Sequence, residues 1–255
     1  LGTEWGVWES YGPLFSFEER YVFPEDSAEM EFYRYVHGKH PGIALELGAG
    51  DGRLTVATAN GEYLAIGLEP SAAMLDCWRG SGTNPCRVRG SAQFIPLRRK
   101  SVRLVTFPYN GLHCILDRNH RKTVFEEVER VLAPGGVFVA ETCPFFRDRP
   151  DEEPVLRYEY GGKDVLLRLV ESVTHLKDRD GEERIVFDMV YTGKLVPDGR
   201  KEIRLVLALI SAGELLTDLK AAGLDILSVW GDYDFSPWCG DASPRLLVMA
   251  GRRNR

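Results

Sequence analysis

Residues 44–53 read Ala44-Leu45-Glu46-Leu47-Gly48-Ala49-Gly50-Asp51-Gly52-Arg53, and this stretch decides the fold. The short apolar run 43–47 predicts a buried strand. The glycines after it predict a turn, and a helix should follow to about Asn60, where Gly61 stops it. A strand that runs into glycines and then a helix makes a ligand cradle at the carboxyl end of a sheet. With no side chains there, a ligand can approach the backbone closely. The spacing is G-x-G-x-G, whereas a dinucleotide fingerprint reads G-x-G-x-x-G. Residues 63–68 predict a second strand, and Glu69 stands at its end, nineteen residues after Gly50. A carboxylate in that place can accept from both hydroxyls of an adenosine ribose, and it disfavours a phosphorylated one. The alternative is a tight turn beside a solvated acid.

Working outward, Ser71 caps a helix with Met74, Leu75 and Trp78 on one face. Residues 102–107 predict another strand. The next helix carries its apolar face at Val124, Phe125, Val128, Val131 and Leu132 and ends at Pro134-Gly135-Gly136, before a strand over 137–141. Strands and helices alternating at this spacing argue for a parallel, doubly wound sheet. On the amino-terminal side, residues 1–40 are rich in aromatics, and Asp26 with Glu29 predicts a capping box for a helix ending near Gly38. The α/β rhythm breaks near residue 150. Four strand-like runs (VLRYEY, DVLLRLVESV, RIVFDMVY, IRLVLALI) are separated by GGK, RDGEE and PDGR, which predict hairpin turns without helices between them. The rhythm resumes where Ser211 and Glu214 cap a helix stopped by Gly223, and strands over 225–230 and 245–250 close the chain. The division is thus 1–40 as an aromatic cap, 41–150 with 211–255 as the α/β core, and 151–210 as an antiparallel insertion.

The 255 residues suit one α/β domain with a sizeable insertion. Hydrophobic residues make up 44% and charged residues 27%, enough to bury a real core. The net charge of −6 gives no bulk attraction to nucleic acid or anionic membranes. No apolar run reaches the roughly 18 residues of a membrane span, and the first ten residues lack the basic and apolar regions of a secretory signal. The chain opens on Leu1 rather than Met, so the native N-terminus is expected to have been trimmed. Five cysteines at wide spacings, without a C-x-x-C pair, argue against disulfides and zinc and for a reducing cytoplasm. His37, His40, His120 and His175 are scattered without ligand spacing, so no metal is expected.

Three segments, LELGAGDGRLTVATANGEYLAIGLEPSAAML, RGSAQFIPL and VLAPGGVFVAET, hold their order and spacing from about residue 40 to 142. With residues 211–251 they resemble the class I S-adenosylmethionine-dependent methyltransferases over more than half of the chain. The resemblance implies a Rossmann-like, doubly wound, mostly parallel seven-stranded sheet, with S-adenosyl-L-methionine as cofactor and S-adenosyl-L-homocysteine as product. The aromatic N-terminus and the inserted sheet resemble the small-molecule branch, which includes glycine, sugar and natural-product methyltransferases. There such elements form a lid over the acceptor. The resemblance further implies that Gly48, Ala49 and Gly50 line the methionine part and that Glu46 organises their loop. Glu69 would bind the ribose, with Pro70 and Met74 against the adenine. Ser91, Ala92 and Gln93 would meet the adenine edge; Ser91 stands where many relatives have Asp, which leaves that contact to Ser91, Gln93 or the backbone. Tyr109 would place a backbone carbonyl near the methionine amino group.

Methyl transfer from a sulfonium is an in-line displacement that needs a positioned lone pair and, for some acceptors, a base. Residues 107–113 follow the fourth strand and open onto that region. His113 is the candidate general base, with loop capping as the alternative. Trp8, Tyr11, Asn110, Arg168 and Tyr191 are the candidate acceptor contacts, the last two on the inward face of the insertion. The expected function is methyl transfer to N or O of a small molecule by a monomer or homodimer. The alternatives are a nucleic-acid or protein methyltransferase on the same core, a nicotinamide enzyme on a similar fold, or a ligand-binding module. Acidic charge, and the lack of Asn/Asp and a first proline in Thr106-Phe107-Pro108-Tyr109, speak against nucleic acid as partner.

Overall fold

The computed structural model describes residues 6–22, 27–59, 61–81, 85–109, 111–177 and 181–253. They divide into two compact units, residues 1–145 with 210–255 and residues 146–209.

The first unit opens with α1 (Gly6–Val22) and α2 (Ala28–Lys39), then β1 (Ala44–Leu47), α3 (Arg53–Thr58), β2 (Ala65–Glu69), α4 (Ala72–Asp76) and β3 (Cys86–Arg89). It continues with β4 (Val102–Phe107), α5 (Arg118–Val131) and β5 (Leu132–Thr142). After the second unit come α6 (Ala212–Ala221), β10 (Leu224–Trp230) and β11 (Leu246–Arg252). The seven strands order as β3-β2-β1-β4-β5-β11-β10, and β11 alone runs against the rest. Strand order therefore reverses between β1 and β4, the switch point where doubly wound sheets bind ligands.

The central strands are buried on both faces, whereas the edge strands β3 and β10 are partly exposed. Val137 and Val139 of β5 join Leu104, Leu247 and the α2 residues Met30, Phe32, Tyr33 and Val36 in one core cluster. Phe138, between them in sequence, meets Phe125 of α5 with ring centroids 6.2 Å apart. Ser71 and Ser211 cap as expected, accepting from the amides of Met74 (3.2 Å) and Glu214 (3.1 Å).

Several boundaries depart from expectation. Asp26 lies outside the described residues; Ser27 caps α2 instead, accepting from Met30 N at 3.3 Å. Helix α5 stops at Val131, three residues before Pro134, because proline disfavours helical geometry in the residue ahead of it. Trp78 falls beyond α4, which ends at Asp76; its ring packs where a Cβ on Gly52 or Gly67 would come within 2.6 Å. The short strand β3, and the kink of α1 at Tyr11 beside Pro13, were not expected.

Helix α1 is fastened to α4. Glu9 Oε2 accepts from Ala72 N at 2.7 Å, and a Cβ on Gly12 would stand 2.9 Å from the Ala73 carbonyl carbon. Backbone cannot yield as a side-chain tip can. Gly12→Val should therefore cost about 1–3 kcal/mol, measured as a lower melting temperature with α1 displaced.

The second unit is a four-stranded antiparallel meander, β6 (Glu152–Tyr160), β7 (Leu167–Lys177), β8 (Glu183–Thr192) and β9 (Arg200–Ala208). In its seven-residue β8–β9 connection Asp198 and Gly199 have φ of +58° and +73°, the left-handed region that Asp and Gly enter most readily. Register corrects one expectation. Tyr191 pairs with Leu169 and Arg168 with Thr192, so Arg168 and Tyr191 project from opposite faces of this sheet. Tyr191 shares a buried face with Leu167, Leu169, Val173, Phe187 and Met189, whereas Arg168 is exposed and paired with Glu159 at 3.6 Å.

Candidate active site

The cradle is built by backbone. Gly48, Gly50 and Gly52 have φ of +63°, +57° and +83°, a left-handed series that side chains resist. The turn is tied to the sheet by Ala49 N donating to Leu68 O at 3.2 Å. A Cβ on Gly48 would come within 3.1 Å of the Phe107 ring, and one on Gly50 within 3.1 Å of Met74 Cε. The same Phe107 ring fills the space beside Gly111, so the segments after β1 and β4 meet across it.

Glu69 closes this arrangement. It is 6% exposed; one carboxylate oxygen accepts from Gly50 N and the other from Ser71 N, each at 2.9 Å. Burial pushes its pKa up, opposed by those two N–H groups. An ionised carboxylate offers about four lone-pair positions. Two are taken by the backbone, and the remaining two match the two donors of a vicinal diol. The cradle and acid thus fit an adenosine-type cofactor. Met74, 2% exposed, packs against Gly50, and Pro70 lies between Glu69 and the α4 cap. One strand further, Gly90 N donates to Glu69 O at 3.1 Å, which brings the turn at Ser91, Ala92 and Gln93 to the same edge. In that turn Ser91 Oγ donates to Gln93 Oε1 at 3.1 Å and accepts from Gln93 N at 3.3 Å.

Beneath the turn lies a buried charge network. Asp51 accepts from Ser16 Oγ (2.6 Å), Arg53 N (3.2 Å) and Arg79 Nε (2.8 Å), and Arg53 pairs with Glu29 at 2.8 Å. Glu46 accepts from Thr55 Oγ1, and burial pushes its pKa up to about 8. The folded state therefore holds a proton that the unfolded chain, near the ordinary 4.5, releases. This contribution is present below the unfolded value and is lost as pH rises through about 8. The melting temperature should fall between about pH 5 and pH 9. Glu46→Gln, which carries no charge to desolvate, should fall less over the same range.

Beyond β4, Tyr109 has φ +54°, and its N–H donates to Glu141 Oε2 at 3.0 Å. Asn110 lies outside the described residues. His113 is fully buried, and its Nε2 accepts from Cys143 N at 2.9 Å. A backbone N–H can only donate, so this ring nitrogen is unprotonated and its lone pair is engaged. Trp8 and Tyr11 are half-buried on α1, with Trp8 6.1 Å from Phe15 between centroids. The first unit thus gathers the predicted cofactor residues at one sheet edge. Tyr191 and Arg168 belong to the other unit.

Sequence reasoning passed over Glu141, Asp51 and Thr55. The visible signal for Glu141 was an acid ending the apolar strand VFVAE. The cysteines at 77, 86, 114, 143 and 239 are free thiols. Among the described residues no cluster of three His, Cys, Asp or Glu is placed to hold a metal, and no helix is long and apolar enough to cross a membrane.

Residues 44–136 match the family model described as a methyltransferase domain. No curated protein sequence matches the chain. Among solved structures, an S-adenosylmethionine-dependent methyltransferase from Clostridium acetobutylicum superposes with TM-score 0.77 at 15% identity, over 96% of this chain and 100% of that one. The CcbJ methyltransferase from Streptomyces caelestis gives 0.72 at 20% identity over 91% of each chain. A sugar N-methyltransferase from a Streptoalloteichus species gives 0.68 at 20% identity, over 94% of this chain and 92% of that one. At these identities the likeness speaks for the fold, while the family match covers the strands that carry the glycine turn and Glu69. Residues 44–136 thus match a methyltransferase domain, on a fold shared with these S-adenosylmethionine-dependent methyltransferases.

Proposed function

We propose that the chain transfers the methyl group of S-adenosylmethionine to a nitrogen or oxygen of a small-molecule acceptor. The observation that carries this reading is the buried Glu69 carboxylate, anchored by Gly50 and Ser71 with two acceptor positions to spare. When bound, the cofactor supplies an electrophilic methyl group on sulfur. Glu69 holds the ribose, and Gly48, Ala49 and Gly50 present backbone to the methionine part above the Glu46–Thr55 pair. Pro70 and Met74 pack on the adenine, and Ser91, Ala92 and Gln93 meet its edge. The Tyr109 carbonyl takes the methionine amino group. His113 anchors its loop rather than acting as base, because its Nε2 lone pair is engaged by Cys143. Positioning then carries the transfer, which suits a neutral amine acceptor.

Trp8, Tyr11 and Asn110 are assigned to the acceptor, and residues 151–210 to a lid that excludes water, with Tyr191 on its buried face. A small acceptor is supported by the net charge of −6 and by neighbours of this fold described as sugar and glycopeptide N-methyltransferases. The free cysteines suit a reducing cytoplasm, and the reading admits a monomer or homodimer without a nucleic-acid partner.

The test is turnover with labelled S-adenosylmethionine against amino sugars, hydroxylated sugars, peptides and transfer RNA. Label transfer to a small amine or hydroxyl supports the proposal. Transfer to RNA or peptide alone overturns it.

A further inference from the structure

The carboxylate of Glu141 is fully buried at the end of β5, yet three donors from three separate segments converge on it. Tyr233 Oη, beyond β10, donates to Oε1 at 2.7 Å. Tyr33 Oη, from α2, and Tyr109 N, beyond β4, donate to Oε2 at 2.9 Å and 3.0 Å. The Arg245 guanidinium lies 4.2 Å from the centre of the Tyr233 ring, which polarises that phenol as a donor. A buried acid is a poor device for stability alone, since apolar packing does as well or better. What it adds is direction. Tyr109 sits at φ +54°, a conformation that a bulky residue adopts only when its surroundings enforce it. Two residues further along, Cys143 N donates to His113 Nε2. The end of β5 thus holds both Tyr109 and His113.

We propose that Glu141 is a positioning residue for methyl transfer: by holding the Tyr109 amide it fixes the segment after β4 and, with it, the methionine end of the cofactor site. This rests on the cofactor reading given above. Glu141 touches neither cofactor nor acceptor and acts through Tyr109. Its loss should therefore be felt by a ligand that carries the amino-acid part and not by one that lacks it. A purely structural role would weaken both alike.

The experiment titrates wild type, Glu141→Leu and Glu141→Gln with S-adenosylhomocysteine and with methylthioadenosine, which keeps adenosine and sulfur but has no amino-acid part. Expected is a loss of about tenfold for S-adenosylhomocysteine in Glu141→Leu, the scale of one charge-assisted hydrogen bond, with methylthioadenosine unchanged. Glu141→Gln keeps an acceptor oxygen for Tyr109 and should show a smaller loss with the same selectivity. Should Glu141→Leu fail to fold, the two titrations of Glu141→Gln decide by the same criterion. Equal weakening of both ligands, or of neither, overturns the proposal while leaving the cofactor reading intact. Wild type that binds neither ligand overturns both.

Discussion

Glu69→Ala should weaken S-adenosylhomocysteine binding by at least about tenfold and lower the melting temperature as well. The binding loss follows from removing charge-assisted acceptors, each worth about 1.5–3 kcal/mol, from the ribose hydroxyls. The stability loss follows from the structure: the same carboxylate holds Gly50 N and Ser71 N, so its removal frees the glycine turn from the start of α4. Glu69→Gln separates the two effects. It keeps one acceptor, so the turn should suffer less while the diol still loses a partner. Calorimetric titration alongside thermal melts reads both quantities. Unchanged affinity in a folded Glu69→Ala chain would refute the ribose assignment.

The second large effect is expected at Gly50. A left-handed φ of +57° costs an L-residue about 1–2 kcal/mol, and more for a β-branched one. A Cβ there would also press on Met74 Cε at 3.1 Å. Gly50→Val should fold with reduced stability and bind S-adenosylhomocysteine at least about a hundredfold more weakly, a change of roughly 2.8 kcal/mol. Circular dichroism and calorimetry on the same sample check it. Wild-type affinity in the folded variant would mean that the glycines serve the turn alone.

The parts of this molecule that were legible in its sequence are those whose signal is local. Strand–glycine–helix at 44–58, serine caps at 71 and 211, and glycine-bearing hairpins in the insertion are each specified within a few residues. Glu69 was legible because the spacing from a glycine turn to the end of the next strand is nearly fixed by the length of one helix and its connections. Features that depend on distant partners were not. Glu141 takes its meaning from Tyr33 and Tyr233, 108 and 92 residues away in the chain, and no local pattern announces such a meeting. The opposite faces of Arg168 and Tyr191 depend on hairpin register, where a one-residue slip inverts every side chain. The kink of helix α1 and its docking were not legible: Gly12 and Pro13 weaken helical propensity, yet the contact with α4 uses the bare Gly12. Likewise His113 looked like a base because histidine titrates near neutrality. Only the geometry shows that its Nε2 faces a backbone donor.

The proposed cofactor site joins the glycine turn and Glu69 around an adenosyl group with a methionine tail. Calorimetry of the wild-type chain with S-adenosylhomocysteine and, separately, with NAD tests it most directly. Expected is saturable binding of S-adenosylhomocysteine at one site per chain, abolished or strongly weakened by Glu69→Ala, and no binding of NAD. No saturable binding of S-adenosylhomocysteine to the folded chain, or binding of NAD in its place, would contradict it.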